Sequence, residues 1–127
     1  MKKLIQTDHA PRAIGPYSQG VSIESGKLIF TAGQIPFHPG TNQMVEGGIE
    51  EQTERVIQNL KAILEAGGSG LDRVVKTTVF LKHMEDFQAM NRVYEKHFHE
   101  NPPARSTIEV SALPKGALIE MECVAVQ

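Results

Sequence analysis

The sequence predicts an α+β fold, a single-layer mixed β-sheet of five to six strands with two helices packed on one face. Three observations carry that prediction. Only two segments place apolar residues at helical spacing. The other apolar residues fall in β-branched or alternating runs bounded by Gly and Pro. Those runs are apolar on both sides, whereas two helices can cover only one face of such a sheet.

In chain order, Lys3 to Gln6 is a candidate extra strand, and "HAPRAIGPYSQG" reads as an ordered loop held by its Gly and Pro residues. "VSIESGKLIFTAGQI" carries alternating β-formers around Ser25-Gly26 and predicts a β-hairpin. "PFHPGTNQMVEGG" is a connecting loop. From Ile49 to Ala66, Ile49, Val56, Ile57, Leu60, Ile63 and Leu64 recur at helical spacing, with Glu50, Glu51 and Glu54 early and Gly67 past the end. "GGSG" at Gly67 to Gly70 follows this helix and precedes a strand; a phosphate cradle needs the opposite order, so it is a helix stop and turn.

"DRVVKTTVFLK" has no helical period and returns as a strand. A second helix, roughly Asp86 to His99, carries Phe87, Met90, Val93, Tyr94, His97 and Phe98 on one face and is closed by Pro102. "RSTIEVSAL" and "ALIEMECVAV" then read as two strands joined across Pro114, Lys115 and Gly116. Val75, Val79 and Leu81 fall on one side of their strand and Val74 and Phe80 on the other, as Leu28 and Phe30 oppose Ile29. A second apolar face needs a cover, and another copy of the chain is the simplest supplier. A homo-oligomer packed sheet to sheet is expected, with sites between subunits.

At 127 residues the chain fits one domain with one site. Lys+Arg 13 against Asp+Glu 15 leaves a net charge of -2, which gives no electrostatic reason to expect nucleic acid or an anionic membrane. The start, "MKKLIQTDHAPRAIG", reaches Asp8, His9 and Pro11 before any apolar run long enough for a signal peptide, and no later run approaches a membrane span, so a cytoplasmic protein is expected. A single cysteine, Cys123, excludes an internal disulfide framework and any CxxC pair; it reads as a buried, inert thiol. His9, His38, His83, His97 and His99 show no ligand spacing, and no metal is expected.

Arg105 begins its strand after two prolines and shares a face with Thr107 and Glu109. Glu120 sits between Ile119 and Met121 in a run otherwise suited to burial, where a carboxylate is costly unless paired or used. A hairpin turning near 112 to 115 would set Arg105 opposite roughly 120 to 124. Two readings stay open: a structural ion pair closing the hairpin, or a planar fork for a ligand carboxylate beside an acid that orients water. Tyr17 is a pocket wall or simple loop packing; Asn91 faces a ligand or the surface. Ser18 has neither a base nor a GxSxG elbow and is rejected as a nucleophile.

"PPARSTIEVSALPKGALIEME" resembles the carboxy-terminal signature of the Rid/YjgF family of reactive intermediate deaminases. "HAPRAIGPYSQG" resembles the family's amino-terminal loop, "TAGQIP" its second-strand motif and "VVKTTVFL" its central strand, so the likeness spans nearly all of 1–127 as one domain of this type. It is nearest to the RidA branch, which has the arginine and glutamate of the deaminase site. The resemblance implies a chorismate-mutase-like trimeric barrel with clefts between subunits. It also implies hydrolysis of 2-imino or 2-enamino acids, such as 2-aminoacrylate and 2-iminobutanoate, to 2-oxo acids and ammonia without a cofactor. Carried over, the carboxylate-binding arginine falls on Arg105 and the water-positioning glutamate on Glu120. The pocket tyrosine falls on Tyr17, the backbone contact on Gly33 and the helix asparagine on Asn91. Many bacterial relatives carry cysteine two positions after the arginine; this chain has Thr107, whose hydroxyl is a candidate ligand contact. The rival reading is a non-catalytic trimer that binds 2-oxo acids; Glu120 argues against it, since a pure carboxylate binder gains nothing from a second negative charge.

Overall fold

The computed structural model describes residues 2–127, so Met1, the first residue of the expected domain, lies outside the described residues. Six strands and two helices follow one another: β1 (Lys2–Ile5), β2 (Gly20–Ile23), β3 (Leu28–Phe30), α1 (Ile49–Ala66), β4 (Val74–Leu81), α2 (Phe87–His97), β5 (Ala104–Glu109) and β6 (Ile119–Val126). The architecture is α+β with a mixed sheet, as the patterning predicts.

α1 forms over the predicted residues. One of its free amino-terminal donors is met locally: Gly48 N–H donates to Glu51 Oε1 at 2.8 Å, and Glu50 and Glu51 occupy the first turn, where the helix dipole favours negative charge. At the other end Gly67 N–H closes on the carbonyls of Ile63 and Leu64, and Gly68 takes φ +81°, a left-handed stop that a side chain would resist. The buried stripe of Val56, Ile57, Leu60 and Leu64 packs on the sheet, each side chain contributing about 1.5–3 kcal/mol by leaving water. α2 starts at Phe87 rather than Asp86, because Met84–Asp86 forms a separate 3-10 turn.

The main sheet has the order β3-β6-β4-β5, and β1 and β2 pair with each other as a separate two-stranded sheet. Two predicted hairpins are therefore corrected. β2 and β3 turn at Gly26 but part company, β2 pairing with β1 and β3 with β6. β5 and β6 are not partners either: β4 lies between them, parallel to β5 and antiparallel to β6. A parallel neighbour reached through a helical crossover is a non-local choice that turn residues do not encode.

β4 carries a further correction. A bulge between Val74 and Lys76 resets its alternation, so Val74 joins Thr77, Val79 and Leu81 on the buried, helix-covered face, and Val75 does not. On the opposite face Leu28 remains 44%, Phe30 71% and Ile108 44% exposed, while Ile29 packs into the core. No helix among the described residues packs on that face. Among the described residues no helix is long and apolar enough to cross a membrane.

Candidate active site

The site is assembled from the β5 side first. Pro102 and Pro103 lack N–H groups but keep their carbonyls, and Ser18 binds both: its hydroxyl donates to Pro102 O at 2.5 Å and its N–H to Pro103 O at 3.0 Å. This staple lays the Gly15–Gly20 loop along the start of β5 and brings Tyr17 beside Arg105. Ser18 is a structural clamp, as its lack of a base implies.

Arg105 is half-buried on the helix side of the sheet, level with Thr77 of β4. Its Cζ stands 4.8 Å from the Tyr94 ring centroid, 5.4 Å from Phe87 and 5.6 Å from Tyr17. Its Nη1 donates to Asn91 Oδ1 at 2.7 Å. Phe87, Asn91 and Tyr94 stand at i, i+4 and i+7 and so form one stripe of α2. Among the described residues no carboxylate lies within 4.0 Å of the guanidinium. Burial pulls its pKa below the ordinary value while Tyr94 and Tyr17 act the other way, and an arginine so placed stays charged at neutral pH. A half-buried guanidinium among aromatic rings, with one N–H given to Asn91 and no carboxylate partner among the described residues, has the donors to receive an anion.

Thr107 lies two residues further along the same strand face, paired with Val79. Its Oγ1 is buried and finds no hydrogen-bond partner among the described residues. Leaving a buried hydroxyl unmatched costs about 1–3 kcal/mol.

The other two predicted site residues, Gly33 and Glu120, lie on the other side of the sheet. Beyond β3, Gln34 exchanges backbone hydrogen bonds with Met121, Gln34 N–H to Met121 O at 2.8 Å and Met121 N–H to Gln34 O at 3.1 Å, which pins the Gly33 backbone against Glu120. A Cβ on Gly33 would come within 2.9 Å of the Glu120 carboxyl carbon and closer still to Oε2. Only glycine leaves that carboxylate its seat. Glu120 is level with Phe80 of β4 and belongs to the face left uncovered.

The structure thus joins Tyr17, Asn91, Arg105 and Thr107 on one face and Gly33 with Glu120 on the other. It does not bring Arg105 and Glu120 together within one chain. The expected cross-hairpin pair is corrected by the insertion of β4, which sets two strand spacings and three residues between them. The open reading of a structural ion pair between these two residues falls with it.

Sequence reasoning missed Phe87, Tyr94 and Thr77 as members of the site. Asn91 in a stripe with two aromatic residues was the available signal. Cys123 is buried as expected, its thiol pushed up to about 11 chiefly by that burial. Among the described residues no group of three His, Cys, Asp or Glu side chains is placed to hold a metal.

The chain is an α+β fold with one open sheet face and a caged arginine that has no ion-pair partner among the described residues, the features of a candidate anion site. A family model described as endoribonuclease L-PSP matches residues 7–127, and the chain belongs to that family, the Rid/YjgF proteins. It is 55% identical over 124 residues to a RutC family protein of Pyrococcus abyssi, covering 98% of this chain and 96% of the relative. It is 43% identical over 127 residues to the human 2-iminobutanoate/2-iminopropanoate deaminase, covering 100% of this chain and 91% of that protein. The crystal structure of an endoribonuclease candidate from Thermotoga maritima superposes with a TM-score of 0.78 at 53% identity, covering 100% of this chain and 98% of the other.

Proposed function

We propose that the chain is a deaminase of the RidA branch that hydrolyses reactive 2-imino and 2-enamino acids, 2-aminoacrylate, 2-iminopropanoate and 2-iminobutanoate, to 2-oxo acids and ammonia. The observation that carries this reading is Arg105, a guanidinium without an ion-pair partner among the described residues, caged by Tyr17, Phe87 and Tyr94 and hydrogen-bonded to Asn91. The name of the human relative supports the substrate class.

In the proposed site Arg105 holds the substrate carboxylate, and Glu120 of a neighbouring copy supplies the base. Three copies, their uncovered sheet faces turned inward, form a trimer with a cleft at each subunit boundary; a cytoplasmic setting is proposed with it. An imine carbon is already electrophilic, so orientation of substrate and water supplies most of the catalysis. Glu120 takes a proton from water as its oxygen bonds to the imine carbon, giving a carbinolamine. That proton passes to the nitrogen; the carbinolamine hydroxyl then gives its own proton through Glu120 to the same nitrogen as the C=O bond forms and the C–N bond breaks, so ammonia leaves and the 2-oxo acid remains. No cofactor enters these steps.

A non-catalytic 2-oxo-acid binder is the second reading. It is favoured by one observation, that Tyr17, Asn91 and Arg105 assemble in one chain without Glu120. RNA cleavage, which the family description names, finds no support in a net charge of -2. The test generates 2-aminoacrylate in situ with a serine or threonine dehydratase and follows 2-oxo acid release. Acceleration over spontaneous hydrolysis supports the deaminase; none, with 2-oxo acid binding intact, favours the binder.

A further inference from the structure

Beneath Arg105 lies a buried hydroxyl pair with no assigned role. Thr77 and Tyr94 are both fully buried, and their hydroxyl oxygens are 2.7 Å apart. We infer that Tyr94, anchored by Thr77, is a positioning residue that sets the direction in which Arg105 presents its carboxylate fork. The inference rests on the reading of Arg105 as the carboxylate anchor.

Packing alone does not require the pair. Val79 and Leu81, the next buried residues of β4, are aliphatic, and valine and phenylalanine would fill the same volumes at 77 and 94 without burying two hydroxyls. Each hydroxyl is matched by the other, and the hydrogen bond fixes the phenol relative to the sheet. The anchor stands in the right place to act on the arginine. Thr77 is the direct cross-strand neighbour of Arg105, and the Tyr94 ring it holds is the nearest of the three aromatic rings to the guanidinium. Phe98 packs on Tyr94 with ring centroids 4.5 Å apart, which limits the ring further. Burial raises the phenol pKa to about 12, so the ring is a neutral floor and not a counter-ion. The guanidinium is consequently held between a fixed aromatic face and Asn91, which takes Nη1 and leaves the other N–H groups for a ligand.

The experiment compares wild type with Tyr94→Phe, Thr77→Val, their combination and Thr77→Ser. It uses calorimetric binding of 2-oxobutanoate together with KM and kcat for 2-iminopropanoate generated in situ. Tyr94→Phe and Thr77→Val should each weaken binding and raise KM about fivefold, the size of one neutral hydrogen bond, with kcat nearly unchanged and a melting temperature lowered by the single hydroxyl left unmatched. The combination should be no worse than either alone, and Thr77→Ser should bind as wild type does. Unaltered binding and KM in the isosteric Tyr94→Phe variant, or a Thr77→Ser variant as impaired as Thr77→Val, would overturn the inference. Wild type that binds 2-oxobutanoate without hastening imine hydrolysis would sink the deaminase reading alone, since the binding series still measures positioning. Wild type that binds no 2-oxo acid would sink both.

Discussion

Arg105 and Glu120 lie on opposite faces of one sheet, Arg105 level with Thr77 beneath the helices and Glu120 level with Phe80 on the open side. A single chain therefore carries both residues of the proposed hydrolytic site but does not bring them together. The open face that carries Glu120 also carries the exposed Phe30 and Ile108, so in the proposed trimer the same surface would meet a neighbouring copy and deliver the carboxylate.

Arg105→Ala should leave the fold intact and abolish 2-oxo acid binding. Among the described residues the arginine has no ion pair to lose, only its aromatic cage and Asn91, so its removal strands no buried carboxylate there. The loss of a partly desolvated carboxylate contact is expected at about 2–5 kcal/mol in affinity, read by calorimetry and by kcat/KM. A folded variant with wild-type kcat/KM would remove Arg105 from the site.

Glu120→Gln separates the enzyme from the binder. The amide keeps the size of the side chain and loses the base, so kcat should fall about 10²–10⁴-fold with 2-oxo acid binding retained. Undiminished turnover would mean that water is activated elsewhere.

Gly33→Ala should act through Glu120. The new methyl group meets the carboxyl carbon at about the 2.9 Å given by the backbone geometry, so the carboxylate must leave its seat. A displacement near 1 Å can cost on the order of a hundredfold in rate. Circular dichroism should report an unchanged fold, and kcat should fall toward that of Glu120→Gln; a fully active variant would show that the seat does not matter.

The helices were legible because their signals are local: Ile49 to Ala66 carries its own stripe, acidic first turn and glycine stop. The strands were legible as strands for the same reason. Their partners were not, since Ser25-Gly26 and Pro114-Lys115-Gly116 are genuine turns whose flanking strands find other neighbours. The bulge at Val75 hid the true face of Val74. Of the site, Arg105 and Glu120 stood out as charges in β-runs, and the family resemblance supplied their roles. Their separation by β4 and the cage of Phe87 and Tyr94 depend on three-dimensional neighbours that spacing does not contain.

Acid stability should report the clasp between the helices. His97 Nε2 lies 2.8 Å from Glu54 Oε1, and Gln58 Nε2 donates to Glu54 Oε2 at 2.8 Å. Partial burial pushes the Glu54 carboxyl up, but these hydrogen bonds, with the charges of His97 and Lys96, outweigh it and hold the pKa below the ordinary 4.5. A carboxyl with a depressed folded pKa stabilises the fold above its unfolded value, and the contribution disappears as pH falls through the folded value. At 45% side-chain exposure the effect stays under about 1 kcal/mol. Glu54→Gln should melt slightly below wild type at neutral pH and level with it in acid; a gap that widens in acid would contradict the assignment.

Mixing two inactive variants tests the shared cleft most directly. Arg105→Ala and Glu120→Gln chains are each unfolded, combined and refolded, with light scattering to confirm a trimer. If each cleft takes Arg105 from one chain and Glu120 from the next, random assortment around a closed ring restores about a quarter of wild-type activity. Mixed trimers as inactive as their parents would contradict the account.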